Sequence, residues 1–397
     1  MSGAPGKNPY RPGVGTRPAY LAGRDAPLRR FRAVLNAAPE QPANMRLTGL
    51  RGVGKTVLLG EFEGVAKDVG WAAGFLELNP RHNGDEALAE TVRALAQRIG
   101  EDVSKAERLK ATLGRAVRAA GSLGITYNDV KVSLDPTSLD GTSDVAKELF
   151  ELVELVVEKG RDGVVLLLDE AQVIRDDRDR GGEHPLSLLI SSVAALQRKD
   201  LPLGLVLCGL PTLTGNLLRA RSYTERMFRG EEVSRLGADE AAAAFAEPLR
   251  DRAISADQRL VDAVVREVEG YPYFIQLWGA ELWDAAEATG LTVLDERLLE
   301  AATEDIYRRL DIDFYEPRVS TLTPAEQDVL VATADCPYPP LATLDLNGAV
   351  DKTPGNVNVL LGRLVEAGVL YRVRKGQYEY TAPKFREYLL RRTVASF

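Results

Sequence analysis

The sequence predicts an α/β fold, a doubly wound parallel sheet, followed by an all-helical segment and by a C-terminal part of helices with a β-hairpin. Three observations predict this order. Aliphatic strands alternate with amphipathic helices up to about residue 236. The pattern from residue 238 to about 313 is helical throughout. Residues 369–374 and 377–381 then form two short strands around Lys375-Gly376.

A glycine-rich loop follows the first predicted strand, residues 45–48. It reads Gly49-Leu50-Arg51-Gly52-Val53-Gly54-Lys55-Thr56, the pattern G-x-x-x-x-G-K-T. The glycines let successive backbone N–H groups point at one phosphate, and the helix that follows adds its positive end. Lys55 then reaches the β- and γ-phosphates, and the Thr56 hydroxyl can ligate Mg²⁺. The pattern predicts the phosphate-binding loop of P-loop nucleotidases, with all eight residues lining the nucleotide; a turn without a ligand is the alternative.

An acidic pair, Asp169-Glu170, ends a second buried strand formed by residues 164–168. The carboxyl edge of an open α/β sheet is where ligands bind. We expect Asp169 to hold Mg²⁺ through water and Glu170 to polarise the water that attacks the γ-phosphate. Two solvated acids at the end of a core strand are the alternative. Together with the loop, the pair favours ATP hydrolysis.

Composition limits the other classes of function. The net charge is −8, but residues 1–32 and 354–397 together carry +11, which leaves −19 for the rest of the chain. Two distant cysteines and two histidines provide neither a disulfide framework nor the spacing of a zinc site. A reducing cytoplasm is expected. The apolar runs are shorter than a membrane span requires, and the N-terminus has no apolar signal region, so membrane and secreted classes are not expected.

The chain divides into four predicted regions. Residues 1–18, rich in proline and glycine, are expected to be a flexible basic tail. Residues 19–236 form the α/β domain, residues 237–315 a helical lid, and residues 316–397 a C-terminal domain. Lys55 and Asp169 are more than 110 residues apart, which is long for a minimal domain of this kind. We assign the excess to a surface insertion at about 100–143, with a candidate strand pair at 125–134.

Further strands are expected at residues 72–78 and from Leu203 onward, and helices at 85–99, 143–159 and 185–197. The four predicted lid helices span residues 238–247, 257–269, 273–288 and 295–310.

Arg24, Pro272, Arg226 and Arg229 are candidate nucleotide contacts outside the loop. Arg24 belongs to a Gly-Arg-Asp element at the start of the domain, which suits a place against the adenine and ribose; a helix start is the alternative. Pro272, after Gly270-Tyr271, opens a lid helix, and this helix start alone explains it structurally. Arg226 or Arg229 can reach a γ-phosphate in its own subunit or a neighbour's, and a solvated loop arginine is equally compatible with the sequence.

The C-terminal part predicts a winged helix-turn-helix. Thr323-Pro324-Ala325-Glu326 is a capping box, and Thr353-Pro354 opens a helix that ends before Gly368. Asn358 and Arg363 lie off the apolar face of this candidate recognition helix. The predicted wing carries the cations Arg372, Arg374 and Lys375. DNA binding is favoured over protein docking, although winged helices do both.

With these parts together, the chain resembles AAA+-type ATPases of the archaeal and bacterial superfamily related to origin-recognition initiators and to STAND signalling ATPases. The resemblance is carried by Leu21–Asp25, Gly49–Thr56, Asp169–Gln172, the Arg226/Arg229 element and Gly270–Pro272, and it covers about residues 19–390. It implies ATP and Mg²⁺ as ligands, and a lid whose position changes with the nucleotide and alters DNA or protein binding.

Two departures from the initiator pattern bear on function. Cys208-Gly209 stands where initiators place a polar sensor residue, and the lid shows Gly270-Tyr271-Pro272 in place of an arginine. Slow turnover is therefore expected. Two functions follow: a slow ATP-driven switch on duplex DNA, or a STAND-like scaffold that self-associates or binds a protein partner. A P-loop kinase is a distant third, because the sequence shows no site for an acceptor substrate.

Overall fold

The computed structural model of the protein describes residues 7–118, 143–176, 182–250 and 252–395. The chain forms two compact units. The unit that we call the sheet unit comprises Arg24–Gly49 and Lys55–Val233. The other, the lid unit, comprises Met1–Gly23, Leu50–Gly54 and Ser234–Phe397.

The sheet unit is built on five parallel strands. They are β1 (Ala43–Thr48), β2 (Trp71–Glu77), β3 (Gly163–Asp169), β4 (Leu203–Gly209) and β5 (Arg229–Glu232). Their order in the sheet is β2-β3-β4-β1-β5. β3 and β4 are buried at every residue, as expected for aliphatic strands in a parallel sheet that is covered on both faces. The strands predicted at 45–48, 72–78, 164–168 and from Leu203 onward are confirmed as β1 to β4, and β5 was not predicted.

The parallel register places the ends of three strands at one edge of the sheet. Thr48 of β1 lies beside Gly209 of β4, and Leu207 of β4 lies beside Leu168 of β3. The strand β4 therefore separates the strand that leads into the glycine-rich loop from the strand that ends in the acidic pair. Cys208 and Gly209 stand between them.

Helices connect these strands. They are α1 (Asp25–Asn36), α2 (Lys55–Asp68), α3 (Asp85–Arg118), α4 (Asp144–Glu158), α5 (Pro185–Gln197), α6 (Thr212–Ala220) and α7 (Thr224–Met227). The helices predicted at 143–159 and 185–197 are confirmed as α4 and α5. The short helices α6 and α7 were not predicted.

The helix α3 continues well past its predicted end at Ile99. Val103 is 6% exposed and belongs to the same apolar core as Ile99, four residues earlier on the same face. The predicted insertion at about 100–143, which was expected to include a charged helical stretch, therefore starts as a continuation of the buried face of α3. The candidate strand pair at 125–134 lies outside the described residues.

The lid unit begins with the four predicted lid helices. They are α8 (Ala238–Ala246), α9 (Gln258–Val268), α10 (Pro272–Thr289) and α11 (Glu296–Leu310). Each prediction agrees with its helix to within one residue at both ends. Two short parallel strands, β6 (Ser255–Ala256) and β7 (Val293–Leu294), pair within this group.

Five further helices and a small sheet follow. The helices are α12 (Glu316–Val319), α13 (Pro324–Ala332), α14 (Thr343–Ala349), α15 (Pro354–Glu366) and α16 (Phe385–Ala395). The strands β8 (Leu341–Ala342), β9 (Leu370–Arg374) and β10 (Gln377–Tyr380) form an antiparallel sheet in the order β8-β10-β9. The predicted hairpin and the capping box at Thr323 are confirmed.

Aromatic side chains from both sides of residue 315, the predicted end of the lid, pack against one another. Tyr315 stacks on Tyr388 with ring centroids 4.8 Å apart and meets Phe385 edge-on at 5.2 Å. Its hydroxyl donates a hydrogen bond to the Pro383 carbonyl at 2.5 Å. The lid helices and the C-terminal helices therefore share one packed core.

Neither cysteine forms a disulfide bond, because Cys208 and Cys336 are both buried free thiols. Burial raises the pKa of the Cys208 thiol well above its ordinary value.

Among the helices of the described residues, none has both the length and the apolar character of a membrane span.

Tyr10 is buried, although the sequence predicts a flexible tail for residues 1–18. Tyr10 is 3% exposed, and its hydroxyl donates to the Phe245 carbonyl at 2.5 Å. A Cβ at Gly279 of α10 would lie 2.4 Å from the Tyr10 ring, so this glycine leaves the space that the ring fills. The Asn8 amide donates to the Ala280 carbonyl at 3.1 Å. One buried ring thus anchors a segment whose composition predicts disorder.

This packing leads to a stability prediction. We expect Tyr10→Ala to lower the free energy of unfolding by about 3–5 kcal/mol, because it empties a buried aromatic site. Tyr10→Phe, which removes only the hydrogen bond, should cost about 1 kcal/mol. Urea denaturation of the full chain measures both. Tyr20→Ala, at a position that is 41% exposed in the same segment, is the control. Equal unfolding midpoints for Tyr10→Ala and the wild type would contradict the packing.

Candidate functional site

The acidic edge of the sheet lies at Asp169, the last residue of β3. Asp169 is 1% exposed, and both of its carboxylate oxygens accept hydrogen bonds. The Thr56 hydroxyl donates to Oδ2 at 2.6 Å, and the Glu170 backbone N–H donates to Oδ1 at 2.8 Å. Thr56 and Asp169 are 113 residues apart in the chain. The fold thus brings together the two residues that the sequence predicts to share a metal ion.

Lys55 is the first residue of α2 and is 6% exposed. Besides the burial that raises the pKa of the Cys208 thiol, Asp169 raises this pKa further and Lys55 lowers it. The lysine cation and the aspartate carboxylate therefore lie near the same thiol, at the positive end of a helix. This arrangement can bind a polyanion at Lys55 and a hard cation at Thr56 and Asp169.

The glycine-rich loop has the backbone conformation that its sequence predicts. Gly52 and Gly54 have φ values of +79° and +89°, which glycine adopts without steric cost. The Gly52 carbonyl accepts a hydrogen bond from the Tyr273 backbone N–H at 3.3 Å. A Cβ at Gly52 would lie 3.6 Å from the Tyr273 Cβ. The segment Leu50–Gly54 therefore packs directly on the first turn of α10.

Glu170 follows β3 with a left-handed backbone, at φ +52°. Its carboxylate accepts a hydrogen bond from the Gln172 side-chain amide, and the Gln172 Oε1 atom accepts one from the Leu210 backbone N–H at 3.1 Å. No individual role was predicted for Gln172. Its position two residues after the acidic pair was visible in the sequence, but its contact with the residue that follows β4 was not.

Two parts of the chain match known protein families. Residues 20–207, which include the loop, Thr56 and Asp169, match the AAA ATPase domain family. This part of the chain is similar to AAA ATPase domains. Residues 313–389 match a second family, described as a domain of unknown function (DUF8462). No curated protein shows significant similarity to the chain.

Solved structures share the fold over nearly the whole chain. A Walker-type ATPase of Pyrococcus abyssi is 19% identical, with a TM-score of 0.55 over 96% of this chain and 98% of its own. The ORC2 protein of Aeropyrum pernix, solved in ADPNP–ADP complexes, is 14% identical, with a TM-score of 0.56 over 96% of both chains. At these identities the likeness establishes the fold alone.

Arg24 and Pro272 were predicted to contact the nucleotide. Arg24 of the sheet unit is 7% exposed, and its carbonyl accepts a hydrogen bond from Leu28 N–H at 3.2 Å in the first turn of α1. Pro272 is the first residue of α10 in the lid unit. The nucleotide contacts of both residues stay predictions.

Arg226 and Arg229, the predicted γ-phosphate arginines, are both exposed. Arg226 lies in α7, and Arg229 begins β5 opposite Met45 of β1. Met45 precedes the end of β1 at Thr48 by three residues, about 10 Å along the strand. This register places Arg229 well below the carboxyl edge of its own sheet, and the predicted γ-phosphate contact of both arginines stays a prediction.

Arg318 in α12 was not predicted as a site residue. Its guanidinium lies 3.9 Å from the centroid of the Phe314 ring, which stacks on Tyr273 at 5.2 Å. Burial and the neighbouring Arg51 of the loop lower the Arg318 pKa to about 10. The Nε atoms of both arginines are buried without a hydrogen-bond partner among the described residues. No sequence pattern marks Arg318, because its proximity to Arg51 depends on tertiary packing.

The predicted nucleic-acid contacts lie on α15 and on the β9–β10 hairpin. Arg372, Arg374 and Lys375 are exposed on the hairpin, and Arg372 also donates to the Tyr378 hydroxyl at 3.1 Å. Asn358 is exposed, but its amide donates to the Pro354 carbonyl at 3.0 Å. Arg363 lies 3.8 Å from the Glu326 carboxylate. The hairpin cations are thus better placed to meet a phosphate than the two α15 residues are.

Proposed function

We propose that the protein is a cytoplasmic, Mg²⁺-dependent, ATP-binding and ATP-hydrolysing switch whose nucleotide state is coupled to DNA binding through a C-terminal winged helix. The hydrogen bond between Thr56 and Asp169 carries this proposal. It places the last residue of the phosphate-binding loop against the acid that ends β3, beside Lys55. The AAA ATPase domain family supports the nucleotide part, and the two buried thiols suit a reducing compartment.

The donor set fits Mg²⁺. A hydroxyl and a single carboxylate are hard oxygen donors, and Mg²⁺ is usually held by one or two carboxylates together with substrate phosphates. Within the described residues, no three His, Cys, Asp or Glu side chains cluster as a protein-only metal site would require. Thr56 and Asp169 would hold the ion, which neutralises charge on the β- and γ-phosphates when bound.

The residues of this chain then divide the chemistry. Lys55 binds the β- and γ-phosphates, and the N–H groups of the glycine-rich loop orient them. Glu170 accepts the proton of the attacking water through its carboxylate. Arg51, which belongs to the loop, and its neighbour Arg318 add positive charge there. The Tyr273 backbone N–H donates to the Gly52 carbonyl, so the first turn of the lid helix α10 is hydrogen-bonded to the loop segment Leu50–Gly54.

The order of the C-terminal elements supports a winged helix. The helices α13, α14 and α15, the short strand β8 and the hairpin β9–β10 make up the set of elements that the sequence predicts for a winged helix-turn-helix. Gly376, at φ +74°, turns the hairpin next to Lys375. Three exposed cations on this hairpin suit contacts with the DNA backbone.

This leads to a salt-dependence prediction. We expect the full chain to bind duplex DNA with an affinity that changes when ATP is added and falls as salt rises. Replacing Arg372, Arg374 and Lys375 together with alanine should reduce the slope of log affinity against log salt by about 0.9 for each phosphate that the variant no longer neutralises. Fluorescence anisotropy with and without ATP, over a salt series, measures both effects.

The control removes three exposed arginines from the lid helices, Arg259, Arg266 and Arg297. It changes net charge by the same amount but leaves the hairpin intact. An equal reduction of the slope in both triple variants would show that the hairpin has no special part in binding.

A STAND-like signalling scaffold is the second candidate, and one observation favours it. The exposed face of α15 is nearly neutral, with Asn358 bonded to its own helix, Arg363 beside Glu326, and Val359 55% exposed. Such a face suits protein docking better than base recognition. ATP-driven self-association without affinity for DNA, measured by analytical ultracentrifugation and anisotropy, would select this candidate.

The exposed arginines lead to a further prediction. We expect Arg226→Ala or Arg229→Ala to slow ATP hydrolysis by at least ~10-fold while ATP affinity stays unchanged, because the arginine stabilises charge that develops on the γ-phosphate. Specific activity should rise with protein concentration, as a contribution from a neighbour requires. Arg221→Ala, an exposed arginine just before α7, is the control. Full activity in both variants would remove these arginines from the mechanism.

A further inference from the structure

One side chain joins the acidic pair to the end of the adjacent strand. The amide nitrogen of Gln172 donates to the Glu170 carboxylate, and its oxygen accepts from the N–H of Leu210, the residue after β4. The backbone of Gln172 is held as well, since the Asn216 amide of α6 donates to its carbonyl at 3.0 Å. Arg219 donates in turn to the Asn216 side chain at 2.5 Å. The nitrogen and the oxygen of the Gln172 side-chain amide therefore both form hydrogen bonds.

Gly209 provides the space for this connection. A Cβ at residue 209 would lie 2.3 Å from the Gln172 Oε1 atom and 3.2 Å from its backbone nitrogen. Any larger residue would push the amide away from both Leu210 and Glu170. The closer obstructed atom is the end of a flexible side chain, and the backbone nitrogen needs to shift by only a few tenths of an ångström.

We propose that Gln172 is a positioning residue that holds the Glu170 carboxylate for ATP hydrolysis and couples it to the end of β4, with Gly209 as the required gap. The inference rests on the proposed hydrolytic function. It also accounts for the end of β4, where Cys208-Gly209 offers only a weak thiol donor. The polar contact at this strand end comes instead from a side chain on the Asp169–Gln172 segment.

The Gln172 amide fixes the alignment of the Glu170 carboxylate. Glu170 follows a rigid buried strand, but its own side chain has several rotamers. A hydrogen bond from an amide that is anchored at its other end selects one of them. A catalytic group displaced by about 1 Å can cost about 100-fold in rate. Binding of ATP depends instead on Lys55 and the glycine-rich loop, so a change at Gln172 should act on hydrolysis far more than on affinity.

The first test separates hydrolysis from binding. We expect Gln172→Ala to lower kcat by about 10- to 100-fold while the Kd for Mg·ATP changes less than about twofold. Gln172→Glu keeps an acceptor for Leu210 N–H but faces Glu170 with a second carboxylate. It should lower kcat at least as much as Gln172→Ala does, because two facing carboxylates repel each other and displace Glu170.

The second test is a double-mutant cycle on Gly209. We expect Gly209→Ala to lower kcat about as much as Gln172→Ala does, since its Cβ displaces the same amide. In the Gln172→Ala background the added methyl group meets no amide, so the double variant should be no slower than either single variant. Gln97→Ala and Gly64→Ala are matched controls, because Gln97 is exposed on α3 and Gly64 has open space around its Cβ position on α2.

The outcomes separate the two proposals. If the wild type does not hydrolyse ATP, the proposed function fails and the inference falls with it. If the wild type hydrolyses ATP and Glu170→Gln does not, but Gln172→Ala keeps or exceeds the wild-type kcat, only the role of Gln172 is refuted. Additive reductions in the double variant, or a wild-type kcat for Gln172→Glu, would also overturn it.

Discussion

Replacing Lys55 with alanine is expected to abolish measurable ATP binding while the fold stays intact. Lys55 is buried at the start of α2, close to the thiol that also lies near Asp169. Lys55 and the bound β- and γ-phosphates would form a desolvated charge pair. Removing one partner of such a pair costs about 3–5 kcal/mol, here of the binding free energy of ATP. A change of this size corresponds to a reduction in affinity of at least ~100-fold. Isothermal titration calorimetry with Mg·ATP measures it.

The control for this change is Lys67→Ala. Lys67 lies in the last turn of the same helix, exposed, and pairs with Glu63 at 2.6 Å. Such an exposed pair contributes at most about 1 kcal/mol. ATP affinity should therefore be that of the wild type in Lys67→Ala. Unchanged ATP affinity in Lys55→Ala would refute the assignment of the loop as the phosphate site.

Replacing Glu170 with glutamine is expected to slow hydrolysis by about 10²- to 10⁴-fold, because an amide cannot accept the proton of the attacking water. The shape of the side chain is kept, and Asp169 still accepts a hydrogen bond from the backbone N–H of residue 170. Affinity for Mg·ATP should stay close to that of the wild type. Single-turnover hydrolysis, with ATP affinity measured by calorimetry, separates the two quantities.

Glu154→Gln is the matched control, since Glu154 is exposed on α4. It removes the same charge from the same domain at a site away from the sheet edge. A wild-type hydrolysis rate in Glu170→Gln would place the general base elsewhere. A slow rate in both variants would point to net charge as the cause, contrary to the role proposed for Glu170.

Local sequence chemistry determined most of the elements of this protein. The aliphatic runs before Asp169 and Cys208 form fully buried strands because no polar side chain interrupts them. The lid helices agree with their predictions to within one residue, since caps and helix stops such as Gly270-Tyr271-Pro272 are properties of neighbouring residues. The loop at 49–56 is defined by its glycines and by Lys55. Each of these features depends only on residues that are close together in the sequence.

Tertiary structure decided which of these elements meet. β4 pairs between β1 and β3, although it follows both in the chain, and strand order depends on packing between distant segments. Thr56 reaches Asp169, and Gln172 reaches Leu210 across a gap left by Gly209, only in that order of strands. Tyr10 likewise anchors a segment whose composition predicts a flexible tail, because a space beside Gly279 receives its ring. A contact between residues far apart in the chain leaves no periodic pattern in the sequence, so these features became visible only in the folded chain.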